Sequence, residues 1–134
     1  MKYLLDTSIC IFLIRRTFDP LLKRIAAHST IEFGVSEITV AELKYGAEKS
    51  TTPRVNHEST DEFLLPLQVL DFDRAAAVAY GSIRRQLEAA GTPIGPLDTL
   101  IAAHALSRNL VLLTHNLKEF KRVPGLKVED WTRE

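Results

Sequence analysis

Short apolar runs alternate along the chain with longer stretches whose apolar positions recur every three or four residues, and that alternation predicts a repeating strand–helix order. Tyr3, Leu4 and Leu5 form the first run, ending at Asp6, after which Thr7 and Ser8 are placed to cap a helix that carries Ile9, Phe12 and Leu13 inward. A second helix starts at Pro20, whose fixed φ suits a first turn, and runs to about His28. Phe33 to Ser36 is the next strand. Thr39, followed three residues later by Glu42, has capping-box spacing for a helix that reaches about Lys49 and is broken at Pro53. A helix over Val55 to Leu65 leads to a third strand, Gln68 to Phe72. From Asp73 a long helix with Val78, Ile83 and Leu87 inward is stopped by Gly91.

The loop from Thr92 to Gly95 delivers Pro96, Leu97 and Asp98 as the first turn of an Ala-rich helix ending near Asn109. Leu110 to Leu113 is continuously apolar, as a strand covered on both faces requires. Lys127 and Val128 add a last short strand with Trp131 packed behind it. Helices between successive strands imply the α/β class: a three-layer α/β/α sandwich with a mostly parallel central sheet.

At 134 residues and 46% hydrophobic, the chain has the size and composition of one globular domain spanning residues 1–134, and collagen-like and disordered classes are excluded. The longest unbroken apolar run, Ile9 to Ile14, is far short of the roughly 18 residues of a membrane helix, and Asp6 interrupts the N-terminus before a signal-peptide core; a cytoplasmic protein is expected. Cys10, the single cysteine, lies among Ile9, Ile11 and Phe12 and reads as a small core residue. Seventeen basic residues balance seventeen acidic ones, so no whole-molecule field marks a nucleic-acid binder. Basic pairs at Arg15/Arg16, Arg84/Arg85 and Lys121/Arg122 still offer local phosphate contacts.

Parallel α/β sheets bind ligands beyond the carboxyl ends of their strands, so polar residues just after strands come first. Asp6 follows the first strand, Glu42 lies on the helix after the second, Asp98 opens the Ala-rich helix, and Thr114, His115, Asn116 and Glu119 follow the fourth. Singly, each acid is explained as a cap or as a complement to a helix dipole. Together they converge on one sheet edge, where like charges raise one another's pKa unless a cation neutralises them. With only oxygen donors at these positions, Mg²⁺ or Mn²⁺ suits the set better than zinc and points to phosphodiester hydrolysis.

The stretches Leu5-Asp6-Thr7-Ser8, Thr39-Val40-Ala41-Glu42-Leu43, Pro93-Ile94-Gly95-Pro96-Leu97-Asp98 with Ile101-Ala102-Ala103, and Thr114-His115-Asn116 with Phe120 resemble those of PIN-domain ribonucleases, and more narrowly VapC toxins, in order over essentially the whole chain. The resemblance implies a Mg²⁺- or Mn²⁺-dependent endoribonuclease acting on structured RNA, a tRNA or ribosomal loop, and leaving a 5′-phosphate and a 3′-hydroxyl. It also implies a VapB-like antitoxin partner and a homodimer within a larger toxin–antitoxin complex. Asp6, Glu42 and Asp98 match the family's acidic metal-binding positions. The fourth acid falls on Glu119, where close VapC relatives carry an acid, in a chain that has Asn116 where many PIN domains carry Asp. Ser8 and Thr114 match positions whose hydroxyls orient water or a carboxylate, with Asn116 supporting.

Two other readings remain at this stage. One is a metal-independent histidine ribonuclease, against which the spacing speaks: His104 lies six residues beyond Asp98, on another helix face. The other is a non-catalytic receiver-like or partner-binding α/β domain, although Asp6 stands alone where receivers pair two acids. The run Ile9 to Ile14 offers a docking surface for a partner, with burial in the core as the competing account of most of its residues.

Overall fold

The computed structural model describes residues 1–134. Its chain runs β1 (Tyr3–Leu5), α1 (Thr7–Arg15), α2 (Asp19–Ala26), β2 (Phe33–Ser36), α3 (Glu37–Glu48), α4 (Pro53–Leu64), β3 (Gln68–Leu70), α5 (Arg74–Ala89), α6 (Pro96–Ser107), β4 (Val111–Leu113), α7 (Leu117–Phe120) and β5 (Val128–Glu129). All five strands are parallel, in the order β3-β2-β1-β4-β5. The expected three-layer α/β sandwich is the observed one.

Side chains alternate across a pleated strand, and the core divides accordingly. On one sheet face Leu4 and Leu112 pack with Ile83 and Leu87 of α5 and Ile101 of α6. On the other, Tyr3, Leu5, Val35 and Leu113 pack with Ile9 of α1, Leu21 of α2, Leu43 of α3 and Trp131. Cys10 is wholly buried in this second core, as its apolar neighbours imply. No helix is long and apolar enough to cross a membrane.

Three local expectations are corrected. Helix α1 is capped by Asp6, whose Oδ1 accepts the Ile9 amide at 2.8 Å, and not by Thr7 or Ser8. Helix α3 starts at Glu37 under a Ser36 cap, so the Thr39/Glu42 pair lies inside the helix and is no capping box. Val78 points to solvent at 67% exposure, while Ala76, Ile83 and Leu87 form the buried stripe of α5. At about 100° per residue, Val78 sits some 140° around the helix from Ile83, outside that stripe. Smaller differences move helix ends by one or two residues, and β3 stops at Leu70 instead of Phe72.

Candidate active site

Strand register places the polar residues. Leu5 pairs with Val35 on one side and with Leu113 on the other. One step beyond each lie Asp6, Ser36 and Thr114, all at the carboxyl edge of a parallel sheet. Chain connectivity reverses direction about β1, so this edge is the topological switch point where α/β sheets open a crevice. The Asp6 amide donates to Leu113 O at 3.1 Å, fixing the acid against β4.

Asp6 is buried, and burial pushes its carboxyl up from 3.8 to about 6; the Thr114 hydroxyl and the Ile9 amide pull it down, and Asp98 and Glu42 push it further up. Capping α1 occupies part of one carboxylate oxygen, and a carboxylate has about four lone-pair sites, so the capping role leaves capacity for a ligand. Asp98 occupies the first turn of α6, where the helix dipole favours a negative charge. Its carboxyl is nevertheless raised above the ordinary range, by burial first, then by Glu119, then by Glu42. Glu42 is half-buried on α3, and Thr7 Oγ1 donates to its Oε1 at 2.6 Å while lying 3.2 Å from the buried Thr39 hydroxyl. The i, i+3 spacing of Thr39 and Glu42 thus turns both toward α1.

Asp98 and Glu42 both raise the Asp6 carboxyl, which the Thr114 hydroxyl lowers, and Glu119 and Glu42 both raise that of Asp98. Asn116 is exposed at the start of α7, its backbone N–H donating to Thr114 Oγ1 at 2.9 Å. Ser8 is exposed on the first turn of α1 and stands apart from these contacts. Thr7 is the residue that sequence reasoning missed: its place beside Asp6 reads as a helix cap, and only the packing of α1 on α3 reveals it as the donor that orients Glu42.

The donor set fits a hard divalent cation: every member is a carboxylate, hydroxyl or amide oxygen, and two carboxyls are raised in part by neighbouring acids. No three His, Cys, Asp or Glu side chains are drawn together closely enough to hold an ion outright.

Two of the four histidines serve elsewhere. His104 is fully buried with Nδ1 2.8 Å from Ser36 Oγ, and burial pushes its pKa down. His28 stacks on Trp131 at 5.0 Å. The two presented imidazoles that a histidine ribonuclease needs are therefore not supplied by these residues.

Beside the acids opens a groove of about 770 Å³ between α1, α3 and α4, with Thr7, Glu42 and Arg15 in its wall and Ile11, Ile14 and Ile38 along its apolar side. Of the Ile9 to Ile14 run, Ile9 and Cys10 are core, whereas Ile11 and Ile14 face the groove. Arg15 and Lys49 are the basic residues of this groove; Arg84 instead bonds Tyr80 and Glu88, and Arg122 bonds Pro93 O.

Residues 3–126 match the PIN domain family model. The "tRNA(fMet)-specific endonuclease VapC" of Salmonella typhimurium is 46% identical over 131 residues, covering 98% of each chain. Among solved structures, DNA-bound VapBC from Salmonella typhimurium superposes with TM-score 0.93 at 45% identity over 98% of both chains. VapBC2 from Rickettsia felis, bound to a promoter DNA fragment, gives 0.91 at 38% identity over 98% of this chain and 99% of that one.

Proposed function

We propose, for a chain that belongs to the PIN-domain family and within it to the VapC ribonucleases of toxin–antitoxin systems, that Asp6, Glu42, Asp98 and Glu119 hold Mg²⁺ or Mn²⁺ and that the protein hydrolyses phosphodiester bonds of a structured RNA, a tRNA foremost. The observation that carries this reading is the pair of carboxyls, Asp6 and Asp98, raised by burial and by the acids facing them at one sheet edge. Such a cluster is stabilised by binding a cation. When bound, a divalent cation supplies a water of lowered pKa and neutralises the charge that builds on the phosphate oxygens.

The chain's own residues do the positioning. Asp6 is fixed by the Ile9 amide, Glu42 by the Thr7 hydroxyl and Asp98 by the first turn of α6. The Thr114 hydroxyl lowers the Asp6 carboxyl and accepts the backbone amide of Asn116 at the turn into α7. Asn116 serves as an outer residue that orients water, and Arg15 meets a phosphate of the bound strand. Water and not the ribose 2′-hydroxyl is the nucleophile: its oxygen bonds the phosphorus as the P–O3′ bond breaks, and the 3′-oxygen leaves with a proton, so the products carry a 5′-phosphate and a 3′-hydroxyl. The test is cleavage of tRNA by purified protein: none is expected in excess EDTA, with activity and 5′-phosphate ends restored by Mn²⁺. Undiminished cleavage in EDTA overturns the proposal.

Glu119 is the fourth ligand of this reading, because it stands ahead of Glu42 among the charges acting on Asp98. Glu119→Gln is expected to weaken Mn²⁺ binding about tenfold or more and to slow cleavage, whereas Asn116→Ala has the smaller effect. Unchanged affinity and rate in Glu119→Gln would leave a three-carboxylate site.

Ribonuclease activity in a cell calls for restraint, and the apolar wall of Ile11, Ile14 and Ile38 suits the apolar face of an antitoxin segment. A VapB-like antitoxin seated there adjoins Glu42 and shuts the site. A homodimer within the larger toxin–antitoxin complex completes this reading.

A further inference from the structure

The turn joining α1 to α2 carries two non-glycine residues in the left-handed region, Arg16 at φ 56° and Phe18 at φ 59°. A bulky aromatic residue pays a steric cost there. The cost is not offset by full burial of the ring, because Phe18 stays 40% exposed. Its ring meets Phe12 edge-on at 4.8 Å and lies 5.5 Å from the His115 ring at a 35° tilt, while Phe12 and His115 meet at 5.7 Å.

His115 is held in place. Its Nδ1 lies 2.9 Å from Thr132 Oγ1, and the Thr132 hydroxyl donates to Asp130 Oδ1 at 2.6 Å, so the threonine oxygen is left to accept a proton from Nδ1. The Asp130 Oδ2 stands 3.4 Å from the same nitrogen. These contacts fix the imidazole plane, and the side chain remains 41% exposed.

The cluster adjoins the acids. His115 directly follows Thr114, the residue one step beyond β4 at the same sheet edge as Asp6, and Phe12 lies six residues along the helix that Asp6 caps. A rise of 1.5 Å per helical residue and a Cα spacing of 3.8 Å put the aromatic rings on the order of 10 Å from Asp6. Arg15 and Arg16 are exposed in the same turn and offer cations to neighbouring phosphates.

We infer that Phe18 and His115, backed by Phe12, form a stacking platform for an unpaired RNA base flanking the scissile phosphate. Rigid, half-exposed rings beside basic side chains are what single-stranded RNA binds, since every base presents a π-face and every nucleotide a phosphate. The platform supplies substrate affinity and loop preference in a chain of zero net charge. This inference rests on the ribonuclease reading above.

The experiment uses metal-free protein in EDTA and a short single-stranded oligoribonucleotide carrying 2-aminopurine, whose fluorescence falls on stacking. Quenching by the wild type is expected. Phe18→Asn, which keeps a side chain tolerant of the left-handed backbone, should lose the quench and bind about tenfold more weakly, as should His115→Ala. Phe18→Trp should retain both. In the presence of Mn²⁺, Phe18→Asn should raise KM with kcat little changed. Quench and Kd unchanged in Phe18→Asn overturn the platform, as does a variant that binds RNA normally and fails only to bind an antitoxin. Quenching without any metal-dependent cleavage would instead count against the ribonuclease reading and leave the platform standing.

Discussion

Asp6→Asn is expected to end RNA cleavage, with a rate loss on the order of 10²–10³-fold or more, in a protein that remains folded. The magnitude is that of removing a preorganised charge from a buried site that stabilises the transition state. Asparagine is nearly isosteric and retains an oxygen to accept the Ile9 amide, so α1 keeps its cap. What is lost is the negative charge that attracts the cation. Glu42→Gln and Asp98→Asn should cost a comparable factor: the first leaves the Thr7 hydrogen bond an oxygen acceptor, and the second leaves α6 intact because that helix begins at Pro96 without a side-chain cap. Circular dichroism and gel filtration establish the fold, and initial rates on tRNA at saturating Mn²⁺ give the effect. An Asp6→Asn rate within threefold of wild type would remove the carboxylate site from the proposal.

That a capping residue is also the central acid explains what was legible in the sequence. Tyr3 to Leu5 and Phe33 to Ser36 are observed as strands with the expected bounds, because a short apolar run closed by a polar residue leaves little choice of register. The place of Asp6 at the carboxyl edge follows from parallel topology, because it directly succeeds β1, whereas Glu42 and Asp98 belong to helices whose packing brings their charges to bear on it. Helix starts were harder to read, since Ser36, Thr39, Asp6 and Thr7 are all competent caps by residue type. Packing decides among them: Thr39 is buried against Thr7, so its hydroxyl serves the acid cluster and Ser36 caps the helix. The exposure of Val78 has a related reason. Helix α5 turns the small Ala76 inward, and apolar size alone does not reveal which stripe faces a close neighbour. The aromatic cluster of Phe12, Phe18 and His115 was beyond reach, since it joins residues about a hundred positions apart through a left-handed turn that no local signal marks.

The second large effect is on stability, and its sign follows from Asp6. The folded carboxyl titrates near 6 against an ordinary value of 3.8, so the folded state binds this proton more tightly than the unfolded chain does. The associated stability is fully present below about pH 4 and is lost as pH rises through 6, a total of about 3 kcal/mol at most. At neutral pH the metal-free protein therefore holds an ionised carboxylate that its surroundings disfavour. Asp130 acts in the opposite sense: burial would raise it, but the Thr132 hydroxyl and amide together with His115 and Arg133 hold it below its ordinary value, and its stabilisation is lost on acidification. Comparing wild type with Asp6→Asn cancels that background. Urea unfolding in EDTA is expected to show the variant more stable than wild type at pH 8, by up to about 3 kcal/mol, with the gap closing as pH falls below about 4. Saturating Mn²⁺ should reverse the order at pH 8, because a cation bound only by the folded wild type stabilises it by mass action and the variant has lost the charge that recruits it. A gap independent of pH would mean that burial of the Asp6 carboxylate carries no penalty, and the electrostatic argument for a cation at this edge would lose its basis.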